Sequence, residues 1–256
     1  MSGWRLRLFV AFAILGAALF ARLGFWQLHR LDERRARNRL IAERLKAPPV
    51  DVGALPKDTA LAHYRQVRVV GERDYEHELV YAARTHKGAP GVDLLTPVRI
   101  AGSDTAVLVN RGWLYSADGA TVDLPNVHDL DTNFVGYVEE FPPVPGASFT
   151  KDPRTIARLS HDIVAKTLPY PIAPYYVVLG DDHFVIADTT NKTRQPIRIG
   201  APDLDEGPHA SYAFQWFSFA AIALVGAGFV IKQSRSTGTR PTFVAGAGAG
   251  DARGPR

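Results

Sequence analysis

Two apolar runs lie near the ends of the chain, and a stretch of short, alternating segments lies between them. Residues 212–231 carry no charged side chain, which matches the roughly 20 positions a helix needs to cross a bilayer's hydrocarbon core. Pro208 suits a first helical position, and Asp205 and Glu206 lie where the helix dipole favours negative charge. A membrane helix is therefore expected over 208–231. Near the amino terminus, residues 8–28 are apolar apart from Arg22 and Gln27 and end in Phe25, Trp26 and Leu28. Arg22 can snorkel to an interface, and Phe25 and Trp26 suit an aromatic belt. Arg5 and Arg7 ahead of this run resemble the start of a signal peptide, but the apolar continuation past Arg22 favours a retained span.

The Arg-rich segment 29–49 ends at Pro48 and Pro49 and reads as a juxtamembrane helix. Alternatively it is an amphipathic helix on the outer surface, with Leu31, Leu40, Ile41 and Leu45 against lipid. Strand-like enrichment in Val, Tyr and Phe follows at 64–75, 78–85, 92–100, 106–114, 133–139, 175–179 and 183–187. Gly102–Ser103 and Gly180–Asp181–Asp182 read as hairpin turns, 141–153 as a Pro-rich surface loop, and 156–168 as a single helix. The predicted fold class is an α+β membrane protein, with two transmembrane helices bracketing a mainly antiparallel β domain, a small barrel or sandwich. The expected boundaries are a cytoplasmic start at 1–7, a span at 8–28, the Arg-rich helix at 29–49, an extracytoplasmic domain at 50–207, a span at 208–231 and a disordered cytoplasmic tail at 232–256.

Composition narrows the function. The 256 residues include no cysteine, which excludes disulfides, thiolate metal sites and a thiol nucleophile. The net charge of +4 comes from basic residues clustered beside the apolar runs, where anionic lipid attracts them, so nucleic acid is not the expected partner. Asp203, Asp205 and Glu206 precede the second span while Lys232 and Arg235 follow it. That places its C-terminal end, and hence both termini, in the cytoplasm. The arginines at 30–39 oppose the same count for the first span. With no phosphate loop, no GxSxG elbow and no HExxH pair, the sequence does not read as an enzyme.

Two constellations carry candidate chemistry. Helical spacing puts His209, Ala213, Trp216, Ala220, Ala223 and Ala227 near one side of the second span, with Tyr212 at its edge. A neutral imidazole is a good haem ligand, and an Ala-lined groove admits either a flat macrocycle or another helix. Interfacial His, Tyr and Trp are also ordinary features of a span. Ala13, Ala17, Ala21 and Gly24 offer the first span a matching small-residue face. The second constellation is VLVNRGW at 107–113, an apolar strand that ends in Asn110, Arg111, Gly112 and Trp113. Its guanidinium and indole suit a propionate, a lipid phosphate or a partner carboxylate; equally, Arg111 suits an internal ion pair and Trp113 a core.

GFWQLHR at 24–30, VLVNRGW at 107–113 and PHASYAFQWFSFA at 208–220 together resemble the Surfeit locus protein (Shy-type) family of cytochrome c oxidase assembly factors, and occur in that family's order. The chain departs from the family's pattern at 87–97 and just after Trp113. The resemblance implies a multi-pass membrane protein, with its central domain outside the cytoplasmic membrane or in the mitochondrial intermembrane space, that binds haem a and assists its insertion into subunit I of a haem–copper oxidase; the Arg- and Ala-rich composition without cysteine favours the plasma membrane. On it, His209 is the axial ligand to haem iron, and Tyr212, Gln215 and Trp216 complete the cofactor-binding set. Trp26, Arg30, Asn110, Arg111, Gly112 and Trp113 are then partner-binding. The implied partners are subunit I, a haem A synthase and membrane lipid. The rival readings are a scaffold that stabilises apo-subunit I without touching haem and an extracytoplasmic sensor, which the short tail disfavours.

Overall fold

A computed structural model describes residues 3–124, 132–143, 152–180 and 196–237. In chain order the elements are α1 (Gly3–Lys46), β1 (Val50–Asp51), α2 (Thr59–Ala62), β2 (Gln66–Arg73), β3 (Leu79–His86), β4 (Ala89–Ile100), β5 (Ala106–Tyr115), β6 (Asn133–Glu140), β7 (Thr155–Ile156), α3 (His161–Thr167), β8 (Ile172–Leu179) and α4 (His209–Thr237). They form two compact units: Met1–Arg37 with Asp205–Arg256, and Asn38–Leu204.

The first unit is helical. Both α1 and α4 are long and apolar enough to cross a membrane, and only 11% of each one's apolar window is buried. Core helices of a soluble protein would be mostly buried; these present their apolar surface outward. Within the apolar stretches the buried positions are small ones, Ala13, Ala17 and Gly24 of α1 and Ala213, Ala220 and Ala227 of α4. Small residues let two backbones approach where lipid supplies no hydrophobic drive. Rings lock the same seam: Phe20 stacks on Trp216 at 5.8 Å, and Phe25 meets Phe217 edge-on at 5.2 Å. A Cβ on Gly24 would lie 2.8 Å from the Phe217 ring.

Several expected boundaries move. Segments 8–28 and 29–49 are one continuous helix, because no Gly or Pro interrupts residues 29–47 and most of them are strong helix formers. Leu31 and Ile41, expected against lipid, are instead buried within the protein, while Leu40 is exposed. Pro208 precedes α4, accepting the first helical hydrogen bond from the Tyr212 N–H at 3.1 Å. At its other end α4 runs past 231 to Thr237; tail residues 238–256 lie outside the described residues.

The second unit resolves the choice between barrel and sandwich. β2 pairs with β6, β6 with β8, β8 with β5, β5 with β4, and β4 returns to β2, closing a ring of strands. Closure depends on β4, which spends one edge twice: 89–95 pair with β3, and Val98, Arg99 and Ile100 pair with β2. The ring holds Val67, Val69, Val98, Val107, Val109, Val138 and Val177. Leu108 points the other way, into a second cluster under α3 with Leu95, Ile163 and Val164. Period-2 alternation thus buries both faces of β5.

Most ladders are antiparallel, as expected, and Gly102 with a φ of +76° turns the β4–β5 hairpin. The parallel β5–β8 pairing was not anticipated, nor were β1 and β7, each too short to show a period. The helix expected at 156–168 starts later, because Thr155 and Ile156 pair with Val80 and Tyr81 and Ser160 Oγ caps α3 by accepting from the Ile163 N–H. The strand expected at 183–187, the Asp181–Asp182 part of the turn and loop residues 144–151 lie outside the described residues.

Candidate functional site

His209 opens α4 and is half-buried. Its Nδ1 lies 2.8 Å from Gln27 Oε1 of α1. A side-chain carbonyl oxygen can only accept, so this contact favours the Nδ1–H form, and in the neutral ring of that form Nε2 carries the lone pair. Ahead of the helix, Gly207 takes a φ of +71°, and a Cβ there would stand 3.7 Å from the imidazole Nε2. The segment entering α4 is also tied down. Arg34 Nε donates to the Asp205 carbonyl at 3.0 Å, and Arg35 grips the Glu206 carboxylate through two bonds of 2.9 Å. The Arg35 hydrogen bond holds the Glu206 carboxyl below its ordinary range. Two of the arginines that confused the charge count at the first span are therefore occupied within the protein.

The other residues expected at this site lie along α4 and α1. Trp216 stacks on Phe20, and Tyr212 and Gln215 are exposed. The Ala face offered to a macrocycle or a helix is taken by α1. Trp26 is 53% exposed, and Arg30 pairs with Glu33 at 2.5 Å, one turn along the same helix. Gln27, in the middle of GFWQLHR, is the contact that sequence spacing missed. Nothing local links positions 27 and 209; only helix packing does.

The second constellation sits within β5, not at its end. Leu94 faces Gly112 and Leu95 faces Asn110, so Arg111 is the extra residue of a β-bulge. Gly112 has a φ of +124°, and a Cβ on it would meet the Ile197 carbonyl oxygen at 2.3 Å. Only glycine fits, and a glycine inside a strand pattern was the available signal. The bulge turns Arg111 inward. The side chain is fully buried, its Nη1 donates to Glu78 Oε2 at 2.7 Å, and its guanidinium lies 5.1 Å from the Tyr75 ring. Thr96 Oγ1 donates to the same carboxylate oxygen. Of the two readings of Arg111, the structure shows the internal ion pair, which replaces the expected guanidinium facing a partner.

The flanking residues are internal as well. Asn110 Nδ2 donates to Asp93 at 3.3 Å while its Oδ1 accepts from the Gly112 N–H at 2.9 Å. Burial pushes the Asp93 carboxyl above its ordinary value, against the pull of Arg84 and Asn110. Trp113 is 3% exposed, and its backbone exchanges hydrogen bonds with Ile197. Elsewhere in this unit, His77 and Tyr170 both donate to Asp74, and His63 lies between Glu139 at 3.2 Å and Glu140 at 3.6 Å. Among the described residues, no group of three or more His, Asp or Glu side chains is placed to hold a metal ion.

Comparison with known sequences covers both constellations. A profile of the SURF1 family matches residues 14–221. SURF1-like proteins of Mycobacterium tuberculosis and Mycobacterium bovis are 27% identical over 233 residues, which is 86% of this chain and 79% of each relative. A SURF1-like protein of Rickettsia bellii is 24% identical over 207 residues, covering 79% of this chain and 82% of its own. Another, from Monosiga brevicollis, is 23% identical over 223 residues and is covered to 79%.

Proposed function

The chain belongs to the SURF1 family of cytochrome oxidase assembly factors, and from that premise we propose that it binds haem a through His209 and assists its insertion into subunit I of a haem–copper oxidase. The family is one of assembly factors, not of enzymes. One observation carries the cofactor reading: His209 Nδ1 is engaged by Gln27, which leaves Nε2 as the nitrogen with a free lone pair at the head of a membrane-length helix. Haem a, when bound, supplies an iron that accepts such a nitrogen as an axial ligand. A single imidazole suits a carrier, because a lone axial bond is easier to give up than two.

The residues present fit that role in part of the expected set only. His209 supplies the donor, and the exposed rings of Tyr212, Phe25 and Trp26 supply apolar surface on the same two helices. The Ala face supports helix packing and no ligand. The charges around α4 support a plasma-membrane protein with cytoplasmic termini and the β-rich unit on the opposite side: Asp205 and Glu206 lie before the span, Lys232 and Arg235 after it.

The test is an absorption spectrum of detergent-purified protein from cells that make haem A, wild type beside His209→Ala. A haem a spectrum in the wild type that is lost in the variant is the expected result. Colourless wild-type protein, with haem A synthesis confirmed in the same cells, would overturn the carrier reading and leave a scaffold for apo-subunit I.

A further inference from the structure

We propose that Gln27 is a positioning residue that holds His209 as its Nδ1–H tautomer, so that Nε2 is kept bare for a metal ion. The inference rests on the haem reading of His209 but is separable from it by experiment. A neutral imidazole carries one proton, and the two nitrogens compete for it. Gln27 Oε1, 2.8 Å from Nδ1, settles the competition by accepting. Were the amide turned so that its NH2 faced Nδ1, the proton would move to Nε2 and the ligand nitrogen would be closed. Metal-binding histidines commonly gain their orientation and basicity from such a partner at the other nitrogen.

The pair is built on a fixed register. On one side of it, Gly24 and Phe25 of α1 pack against Phe217 of α4. On the other, Arg34 and Arg35 bind the backbone and side chain of Asp205 and Glu206. These contacts flank positions 27 and 209 along both segments, so sliding α1 against α4 would break them together. Gly207 adds an independent feature, because a left-handed residue without a side chain lies beside the edge of the ring that bears Nε2. Gln27 therefore sets which nitrogen is bare, and Gly207 leaves that edge uncrowded.

The experiment uses the full chain in detergent, haem-free, with 15N label in histidine only. The His209 signals are identified by their loss in His209→Ala. The expected wild-type spectrum shows a protonated Nδ1 and a bare Nε2. Gln27→Leu should shift His209 toward the Nε2–H form, while Gln27→Glu, which keeps an acceptor oxygen, should preserve the Nδ1 proton. Titration with haemin should then show an affinity lower by about 10–100-fold in Gln27→Leu and restored in Gln27→Glu. A protonated Nε2 in the wild type, or a His209 spectrum that Gln27→Leu does not move, would overturn the proposal. If that happened while His209-dependent haem a persisted, the haem function would stand without Gln27. A tautomer that follows Gln27 in a protein that takes up neither haemin nor haem a would uphold the positioning contact and overturn the haem function.

Discussion

Replacing Glu78 by Leu should destabilise the β-rich unit severely, because it takes a carboxylate away from a guanidinium with no exposed surface. Arg111 is 0% exposed and the Glu78 side chain 2%, so neither has water to fall back on. Breaking a buried pair from one side costs about 3–5 kcal/mol, since the remaining charge keeps its desolvation penalty and loses that attraction. Thr96 loses its acceptor at the same time, which adds about 1 kcal/mol. Arg111→Met should cost a similar amount by taking the guanidinium from the buried carboxylate and removing the contact with Tyr75. The double variant Glu78→Leu/Arg111→Met removes both charges and fills much of their volume. It should therefore lose far less than the roughly 8–12 kcal/mol sum of the singles, because apolar replacement of a whole pair is often close to neutral.

Guanidinium unfolding of the detergent-purified chain, followed by circular dichroism of the sheet, measures all four corners of this cycle. Every 1.4 kcal/mol is tenfold in an equilibrium constant, so each single should shift the folded-to-unfolded ratio by more than about a hundredfold. Singles that each cost under about 1 kcal/mol, or a double equal to their sum, would refute the internal pair. Arg111 would then return to the partner-facing role that its sequence context also allowed.

Two further outcomes follow from the packing and the electrostatics. Gly24→Leu should loosen α1 from α4, because its Cβ would meet the Phe217 ring at 2.8 Å, whereas Gly16→Leu, with nothing within 4 Å, should be silent; cysteine cross-linking between the two helices reads both, and equal effects would refute the seam. Asp93→Asn should flatten the pH dependence of stability. Burial raises the Asp93 carboxyl above its ordinary value, so the folded state binds that proton more tightly than the unfolded chain does. Its stabilisation is full below the ordinary value and is lost as pH rises through the folded one. Melting temperatures measured upward from acid pH should decline less in Asp93→Asn than in the wild type; parallel profiles would refute the assignment.

The features legible in the sequence were those written in a local period. A long apolar stretch announced each span, and Ala13, Ala17 and Gly24 announced the seam. The strands with a clear alternation appeared near their expected places. What stayed hidden depends on residues far apart in the chain. Barrel closure needs β4 to divide one edge between β3 and β2, and the parallel β5–β8 ladder joins strands with the whole of β6 and α3 between them. The fate of Arg111 turned on Glu78, 33 positions away, and that of His209 on Gln27, 182 positions away. Gly112 alone gave local notice, as a glycine in a strand where only a bulge explains it.

These distances also divide the motifs by the way their loss should act. In VLVNRGW the Asn110 and Arg111 side chains are both bonded inside the β-rich unit, so substitutions there should lower the amount of folded protein and, through it, oxidase assembly. A second-site change that restores stability should restore assembly with it. At the head of α4 the situation is the reverse. His209 and Gln27 are only half-buried, and removing either leaves the aromatic and small-residue seam between α1 and α4 in place. On the proposed haem function, changes there should leave folded protein abundant while haem a binding weakens. A stabilising change elsewhere should not bring it back. Two motifs of one family pattern thus have different physical jobs under this proposal, one maintaining a barrel around a buried charge and the other presenting a nitrogen.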